Sequence, residues 1–275
     1  MTTELLGEAV FELPGGLALD EGRCLTRAVL RPLFGREEEW LTHATNTPSS
    51  ARVTRLLSSC LVSLGGEPVT TGLVRKLLVG DRDYLMLQLR HLSLGDEVNA
   101  VLTCPACRAP MDVSFRASEV PVEWRSQKSL AHTMPAADRV IRFRLPTGGD
   151  QEDSLGKNPE EAADELLDRC ILDDGGRTLS FQERAAVNDE MERVAPRVEL
   201  ELDMTCPECS HSFVAPFDTT AFFFDEMRVN SRQLLREVHT LAFYYHWSES
   251  EILGLRRARR REYLGLLSEA LRQES

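Results

Sequence analysis

The spacing of apolar residues predicts two helices in the first third of the chain. In SARVTRLLSSCLVSL (50–64) the apolar residues recur at steps of three and four, which is typical of a helix with one buried stripe. VGDRDYLMLQLRHLSLGD (79–96) predicts a second helix, capped by Asp81 and closed by Gly95. Ahead of both, residues 1–23 are expected to form a strand-turn-strand arm with LPGG as its turn.

Beyond residue 218 the pattern becomes almost wholly helical, and the sequence contains neither Cys nor Pro. Ser248 and Glu251 have the spacing of a capping box, so a new helix is expected to begin there. The side chains of His239 and Trp247 are expected to anchor the preceding helix and its bend. The last helix should carry an apolar stripe, formed by Tyr263, Leu266, Leu267 and Leu271.

Three blocks of sequence occur twice in the same order. LTCPACRAPMDVSF (102–115) resembles MTCPECSHSFVAPF (204–217), VTRLLSSCLVSLGG resembles ADELLDRCILDDGG, and VLRPLFG resembles RFRLPTG. This indicates an internal duplication, in which each copy runs strand, glycine turn, helix ending at Gly-Gly, further helix, strand, knuckle and strand. Cys60 and Cys170 hold matching positions in the second block and are expected to be small core residues.

The duplicated C-P-x-C knuckle supplies two thiols in each copy. Cys104 and Cys107 in the first copy and Cys206 and Cys209 in the second give the four ligands that tetrahedral zinc prefers. Because four sulfur ligands leave no open coordination position, the zinc is predicted to be structural, shared by the two copies. The rival ligand His211 follows Cys209 by two residues, has no counterpart in the first copy, and is interpreted as an exposed strand residue.

Charge and segment patterns narrow the function classes. The formal net charge is −12, which argues against a protein that binds nucleic acid by neutralising phosphates. The dense basic cluster RRARRR (256–261) is interpreted as a solvated or partner-facing helix face. The first residues lack the pattern of a signal peptide, and no apolar run has the length of a membrane helix, so a cytoplasmic protein is expected.

An enzyme is not expected, since none of the common catalytic motifs is present. His239 and His246 lie seven residues apart with Glu237 nearby, and a metal hydrolase built on them is the weakest hypothesis. A zinc-ribbon adaptor that binds nucleic acid or a regulatory partner is a stronger alternative.

Three strings carry a resemblance to a known family: VRKLLVGDRDYLMLQLRHLSLGDEVNAVLTCPAC, RFRLPTGGDQED, and LLREVHTLAFYYHWSESEILGLRRARRREYL. They are similar to baseplate hub or assembly proteins of contractile-tailed, T-even-like phages and of extracellular contractile injection systems. The resemblance implies a non-enzymatic part of a baseplate, made in the cytoplasm of the producing bacterium, without a small-molecule substrate. Arg108 and Ser210 depart from zinc ribbons, which usually have Gly after the knuckle.

The prediction is therefore an α+β protein of two tandem duplicated units joined by a shared zinc-ribbon-like site and followed by an all-helical region. Its expected partners are other baseplate or tail subunits. The predicted partner-binding residues are Arg256, Arg257, Arg260, Arg261 and Trp247. The expected divisions are an arm (1–23), unit one (24–118), a connection (119–137), unit two (138–218) and a helical docking region (219–275).

Overall fold

The protein is described by a computed structural model that covers residues 7–19, 22–127, 129–136, 139–156, 158–173 and 178–273. The first part of the chain contains a four-stranded antiparallel sheet in the order β1-β2-β3-β4, followed by a two-stranded hairpin of β5 and β6. Its elements are β1 (Ala9–Ala18), β2 (Cys24–Leu30), α1 (Gly35–His43), α2 (Ser49–Cys60), β3 (Leu61–Leu64), β4 (Glu67–Pro68), α3 (Thr71–Arg75), α4 (Val79–Leu94), β5 (Glu97–Thr103) and β6 (Pro110–Arg116).

The second part contains a three-stranded sheet in the order β10-β9-β8 and a hairpin of β12 and β13, and the chain then ends in helices. The short strands β7 and β11 pair with each other. The elements are β7 (Val122–Glu123), β8 (His132–Pro135), β9 (Val140–Phe143), α5 (Gly148–Asp153), α6 (Pro159–Cys170), β10 (Ile171–Asp173), α7 (Phe181–Val194), β11 (Arg197–Val198), β12 (Glu201–Thr205), β13 (Ser212–Pro216), α8 (Thr219–Val229), α9 (Ser231–Tyr245), α10 (Glu249–Leu253) and α11 (Arg257–Gln273).

The first predicted helix is shorter than its apolar pattern suggested. Helix α2 ends at Cys60, and the next four residues form β3, so the expectation of a helix to Leu64 is wrong. Two hydrogen bonds from Arg31 fix this end: its backbone N–H donates to the Cys60 carbonyl, and its guanidinium donates to the Ser59 carbonyl. Cys60 and Cys170 are 0% and 1% exposed, which confirms that both are core residues.

Helix α4 ends as predicted but begins differently. Gly95 closes it with a φ of 97°, a conformation that a side chain would disfavour. The residue that precedes its first turn is Leu78, and Asp81 makes no cap. Asp81 is instead fully buried, and its carboxylate accepts the N–H groups of Gly15 and Gly16 at 2.7 and 3.0 Å. Burial raises the pKa of Asp81 to about 6, against the lowering effect of those two hydrogen bonds.

The predicted turn in the N-terminal arm is also wrong. Strand β1 runs through LPGG and pairs with β2, with an irregular register between Glu12 and Leu17. The N–H groups of the two glycines bond to Asp81 on α4, and the strand continues through this irregular stretch without reversing. Residues 1–6, 20 and 21 of the predicted arm lie outside the described residues, as do Gly175 and Gly176 of the second expected Gly-Gly end.

The two parts share a local hydrogen-bond pattern. Arg31 pairs with Glu37 six residues later, and Arg144 pairs with Asp150 six residues later. The backbone N–H of Arg144 donates to the Cys170 carbonyl at 2.9 Å, as that of Arg31 does to Cys60 at 3.0 Å. In both places a short helix thus begins beside the end of the longer helix that follows it.

The C-terminal region is helical, as predicted, and packs against the first part. Phe223, Phe224 and Met227 of α8 join the core formed by the first sheet and its helices. Ser248 caps α10 and forms the predicted capping box with Glu251. The expected apolar stripe of α11 is only partly buried, since Leu266 and Leu271 are exposed.

Candidate metal centre

Two hairpins present the four knuckle cysteines to one another. Cys104 follows β5, and its N–H donates to the Ala109 carbonyl while its own carbonyl accepts the N–H of Arg108. Cys206 follows β12 and makes the same pair of bonds with His211 and Ser210. Each hairpin therefore closes a turn of the same shape around its two thiols.

The four sulfurs lie within 4.8 Å of one another. The Sγ atoms of Cys104 and Cys209 are 3.7 Å apart, and those of Cys107 and Cys206 are 3.6 Å apart. A tetrahedral site with Zn–S bonds of about 2.3 Å requires sulfurs about 3.8 Å apart. The arrangement therefore fits one ion held by both hairpins.

The surroundings of the sulfurs suit a closed, structural site. Cys104 and Cys206 are buried among Met111, Met204 and Phe213, whereas Cys107 and Cys209 face solvent. Hydrogen bonds from the backbone N–H groups of Cys107 and Ala106 lower the pKa of Cys104 to about 6. A thiolate is the form that binds metal, so this sulfur is ready as a ligand near neutral pH.

His211 is not part of this group. Its ring is exposed and stacks on Phe213 with centroids 5.8 Å apart. Within the described ranges, the four cysteines are the one group of three or more His, Cys, Asp or Glu side chains that could hold a metal ion.

Arg108 and Ser210 occupy the positions where zinc ribbons usually have Gly. Both have a positive φ, 66° and 58° respectively. The knuckle conformation is thus kept without glycine, at a backbone cost of about 1–2 kcal/mol for each residue.

The structure corrects the interpretation of the arginine cluster. Arg260 is 0% exposed and Arg257 is 8% exposed, so an exposed basic face is wrong for these two. The Arg260 guanidinium donates to Glu38 at 2.8 Å and to Glu237 at 2.9 Å, and so joins α1, α9 and α11. Burial lowers the pKa of Arg257. Of the other two arginines predicted to bind a partner, Arg261 is exposed and Arg256 is half-buried.

Trp247 lies in an aromatic group at the bend between α9 and α10. Its ring centroid is 5.0 Å from that of Tyr245 and 4.8 Å from that of Tyr263. This agrees with the expected anchoring role. The same expectation for His239 is wrong, because His239 is exposed and its ring stacks on Phe243 of the next turn of the same helix.

His246 does not join His239 in a site. It ends α9 with a φ of 57° and is exposed, while Glu237 is committed to Arg260. The hydrolase hypothesis therefore has no geometric support among the described residues.

Arg82 is a buried polar residue that the hydrophobic pattern of the sequence did not indicate. Arg82 is 1% exposed and lies against the first turn of α5, with Glu152 at 3.7 Å. In the sequence, this buried arginine could have been recognised by its spacing, because Arg82 stands five residues after Leu77 near the beginning of a helix. Arg260 has the same spacing from Leu255.

Fold and site together define an α+β protein with a helical C-terminal region and four cysteines that could hold a metal ion. A family model described as T4 bacteriophage base plate protein matches residues 21–177, more than half of the chain. The chain therefore belongs to this family, and the resemblance to T4-like phage baseplate proteins is confirmed. The match includes the first cysteine pair and ends before the second. No curated protein and no solved structure gives a significant match.

Family membership indicates a structural component of a phage tail. In the described residues, no helix combines the length and the apolar character needed to cross a membrane.

Proposed function

We propose that this protein is a non-enzymatic structural or assembly component of the baseplate of a contractile tail or injection system. It acts through contacts with other baseplate subunits, is made in the cytoplasm of the producing bacterium, and enters a tail-like particle there. The family match supports this proposal, as does the lack of a geometry that would suit His239 and His246 as metal ligands.

The resident cofactor is a single structural zinc held by Cys104, Cys107, Cys206 and Cys209. The observation that carries this is the approach of all four sulfurs to within 4.8 Å, although the two pairs are about a hundred residues apart in sequence. Zinc suits an all-sulfur tetrahedral donor set, and such a closed site braces the structure and does not activate water.

The two parts that share the metal are duplicated units, residues 24–118 and 138–218. The repeated blocks of sequence support this, as do the matching bonds of Arg31 and Arg144 at the ends of α2 and α6. The remaining segments are the arm (1–23), the connection (119–137) and the helical docking region (219–275). Exposed apolar side chains on α9 and α11 give this last region a surface for neighbouring subunits, namely Leu235, Phe243, Leu266 and Leu271.

The metal proposal is tested by counting zinc per chain with native mass spectrometry. The native chain should carry one zinc, and Cys104→Ser and Cys206→Ser should each lose it, because three sulfurs of a shared site bind far more weakly. Cys24→Ser is the matched control, since Cys24 is an exposed thiol outside the cluster. Full zinc retention by both knuckle variants would contradict the shared site.

The baseplate proposal is tested separately on purified particles and assembly intermediates, probed with an antibody against this chain. Its presence in either fraction supports the function, and its absence from both refutes it. A zinc-ribbon adaptor for nucleic acid is not favoured, because Arg257 and Arg260 are buried and the net charge is −12. Salt-dependent binding of duplex DNA at physiological ionic strength would reverse that judgement.

A further inference from the structure

Two segments of this chain each hold a turn that comes from elsewhere in the chain. We call Leu77–Arg82 the first docking segment; the turn that enters it ends at Gly148, the first residue of α5. The Gly148 N–H donates to the Leu77 carbonyl at 3.0 Å. The Arg82 guanidinium occupies the place where a Cβ on Gly148 would lie, and Glu152 stands 3.7 Å from it. Glycine is required here because arginine fills the space of a side chain.

The second docking segment, Leu255–Arg260, holds the turn before α1 in the same way. The Gly35 N–H donates to the Leu255 carbonyl at 3.1 Å. A Cβ on Gly35 would lie 2.9 Å from the backbone Cα of Leu253 and 3.1 Å from Nη1 of Arg260, and Glu38 accepts from that guanidinium. In both segments, a leucine carbonyl receives the glycine and a buried arginine reaches an acid of the docked helix.

A third segment, Leu179–Arg184, is built alike. Its leucine and arginine are again five residues apart, at the beginning of α7. Arg184 follows Arg82 by 102 residues, the same interval that separates the two cysteine pairs. Arg184 donates to Asp164 at 2.9 Å, and Arg82 donates at 2.9 Å to Thr54, the matching position of α2. Arg184 therefore occupies the position in the second part of the chain that Arg82 occupies in the first part.

The third segment has no turn docked on it among the described residues. Phe181 is 87% exposed. The side chain of Arg184 is 22% exposed, against 2% for Arg82 and 0% for Arg260. In the part of the chain that the structure covers, no N–H group donates to the Leu179 carbonyl.

We propose that this third docking segment receives a glycine-ended turn from another baseplate subunit, an inference that rests on the proposed function. The glycine N–H of that turn donates to the Leu179 carbonyl, and Phe181 packs on the turn. The two glycine-ended turns described above already fill docking segments, so a second copy would have to unfold locally in order to supply either of them. A different subunit does not carry that cost.

Local charge further defines the partner. At the first segment the neighbouring side chain on α2 is the neutral Thr54, and Glu152 of the docked helix balances Arg82. At the third segment, Asp164 and Asp168 of α6 already pair with Arg184. A further carboxylate would meet like charge there. The partner is therefore expected to carry a neutral or basic side chain three or four residues after its glycine.

The test places a photo-crosslinking benzoylphenylalanine at the exposed position Gln182 in the full chain, within purified particles or assembly intermediates. Mass spectrometry then identifies the crosslinked peptide. We expect a peptide of another subunit with a glycine-ended turn, followed by a helix that is neutral or basic at the third or fourth position. A second sample that also carries Phe181→Glu should lose this crosslink about tenfold or more, because the apolar contact is replaced by a charge.

Val229→Glu is the matched control, since Val229 is an exposed apolar residue on α8, and it should leave the Gln182 crosslink unchanged. Unchanged melting temperature and zinc content of the Phe181→Glu chain show that it is folded. A crosslink to a peptide without such a turn, to a turn of a second copy of this chain, or to no peptide overturns the inference. If the chain is present in particles but this crosslink fails, only the docking proposal falls; absence from every assembly fraction refutes the proposed function.

Discussion

The buried arginine of α11 offers a sharp test of how the C-terminal helices are held. Arg260 is enclosed by Glu38, which is 6% exposed, and Glu237, which is 2% exposed. Arg260→Met keeps an apolar side chain of similar length but leaves both carboxylates without their cation. Removing one member of a buried ion pair costs about 3–5 kcal/mol, because the remaining charge is left desolvated.

That cost should lower the melting temperature by about 6–15 °C in a chain of this size. Urea unfolding, followed by tryptophan fluorescence, gives the free energy directly. The matched control is Arg261→Met in the same basic run, where the side chain is exposed and the change should stay within about 0.5 kcal/mol. Adding Glu38→Gln and Glu237→Gln to Arg260→Met should restore much of the loss, since no unpaired charge remains.

The pH dependence has a definite sign. Burial already raises the pKa of Glu38 above its ordinary value, against the lowering effect of Arg260. Removing Arg260 raises this pKa further, so the stability of the variant is retained at low pH and lost as pH rises through the folded-state pKa. The deficit of Arg260→Met should therefore be smaller at pH 5 than at pH 8. Equal stability of the Arg260 and Arg261 variants, or a deficit that grows as pH falls, would refute the reasoning.

Three further outcomes are expected. Arg108→Gly and Ser210→Gly should each stabilise the zinc-loaded protein to urea by about 0.5–1 kcal/mol, since glycine accepts their positive φ, whereas a loss would argue against strain in the knuckles. Asp81→Asn should lower the free energy of unfolding by about 1–3 kcal/mol in the same assay, because the N–H of either Gly15 or Gly16 loses its acceptor. Unchanged stability would contradict a contribution of these two hydrogen bonds. The pKa of Glu183 is held at about 2, first by the N–H of Ser180, so its contribution should be present above pH 4.5 and lost as pH falls towards 2. Glu183→Gln should reduce the change in the free energy of unfolding with pH in that window, and an unchanged slope would contradict this contribution of Glu183.

Features with a local signal were predictable from the sequence. Gly95 at the end of α4 and the capping box of Ser248 depend on neighbouring residues alone, and both are present. The approach of the two cysteine pairs is not local. It could still be anticipated, because a repeated motif with half a ligand set in each copy points to a shared site.

Features that depend on a distant partner were not predictable from one chain. Asp81 is of a residue type that commonly caps helices, and only the fold brings the N–H groups of Gly15 and Gly16, some 65 residues away in sequence, to its carboxylate. Arg260 lies in a run of arginines that resembles a solvated face, and its partner Glu38 is 222 residues away. In each case a charged side chain is buried because another segment supplies the complementary group. The spacing of hydrophobic residues gives no information about that distant partner.

The cysteine site and the docked turn connect the same two parts of the chain at different places. The Leu77 carbonyl accepts the N–H of Gly148 on α5, and the hairpins meet at the sulfurs around Met111 and Met204. Because backbone bonds and apolar contacts already hold the two parts together, the proposed zinc does not have to assemble them. Its contribution is to fix the ends of two hairpins whose side chains are otherwise largely exposed, and a metal that meets ligands already in place loses little free energy to reorganisation. A rigid pair of hairpin ends is what a subunit needs if it must present one fixed surface to its neighbours.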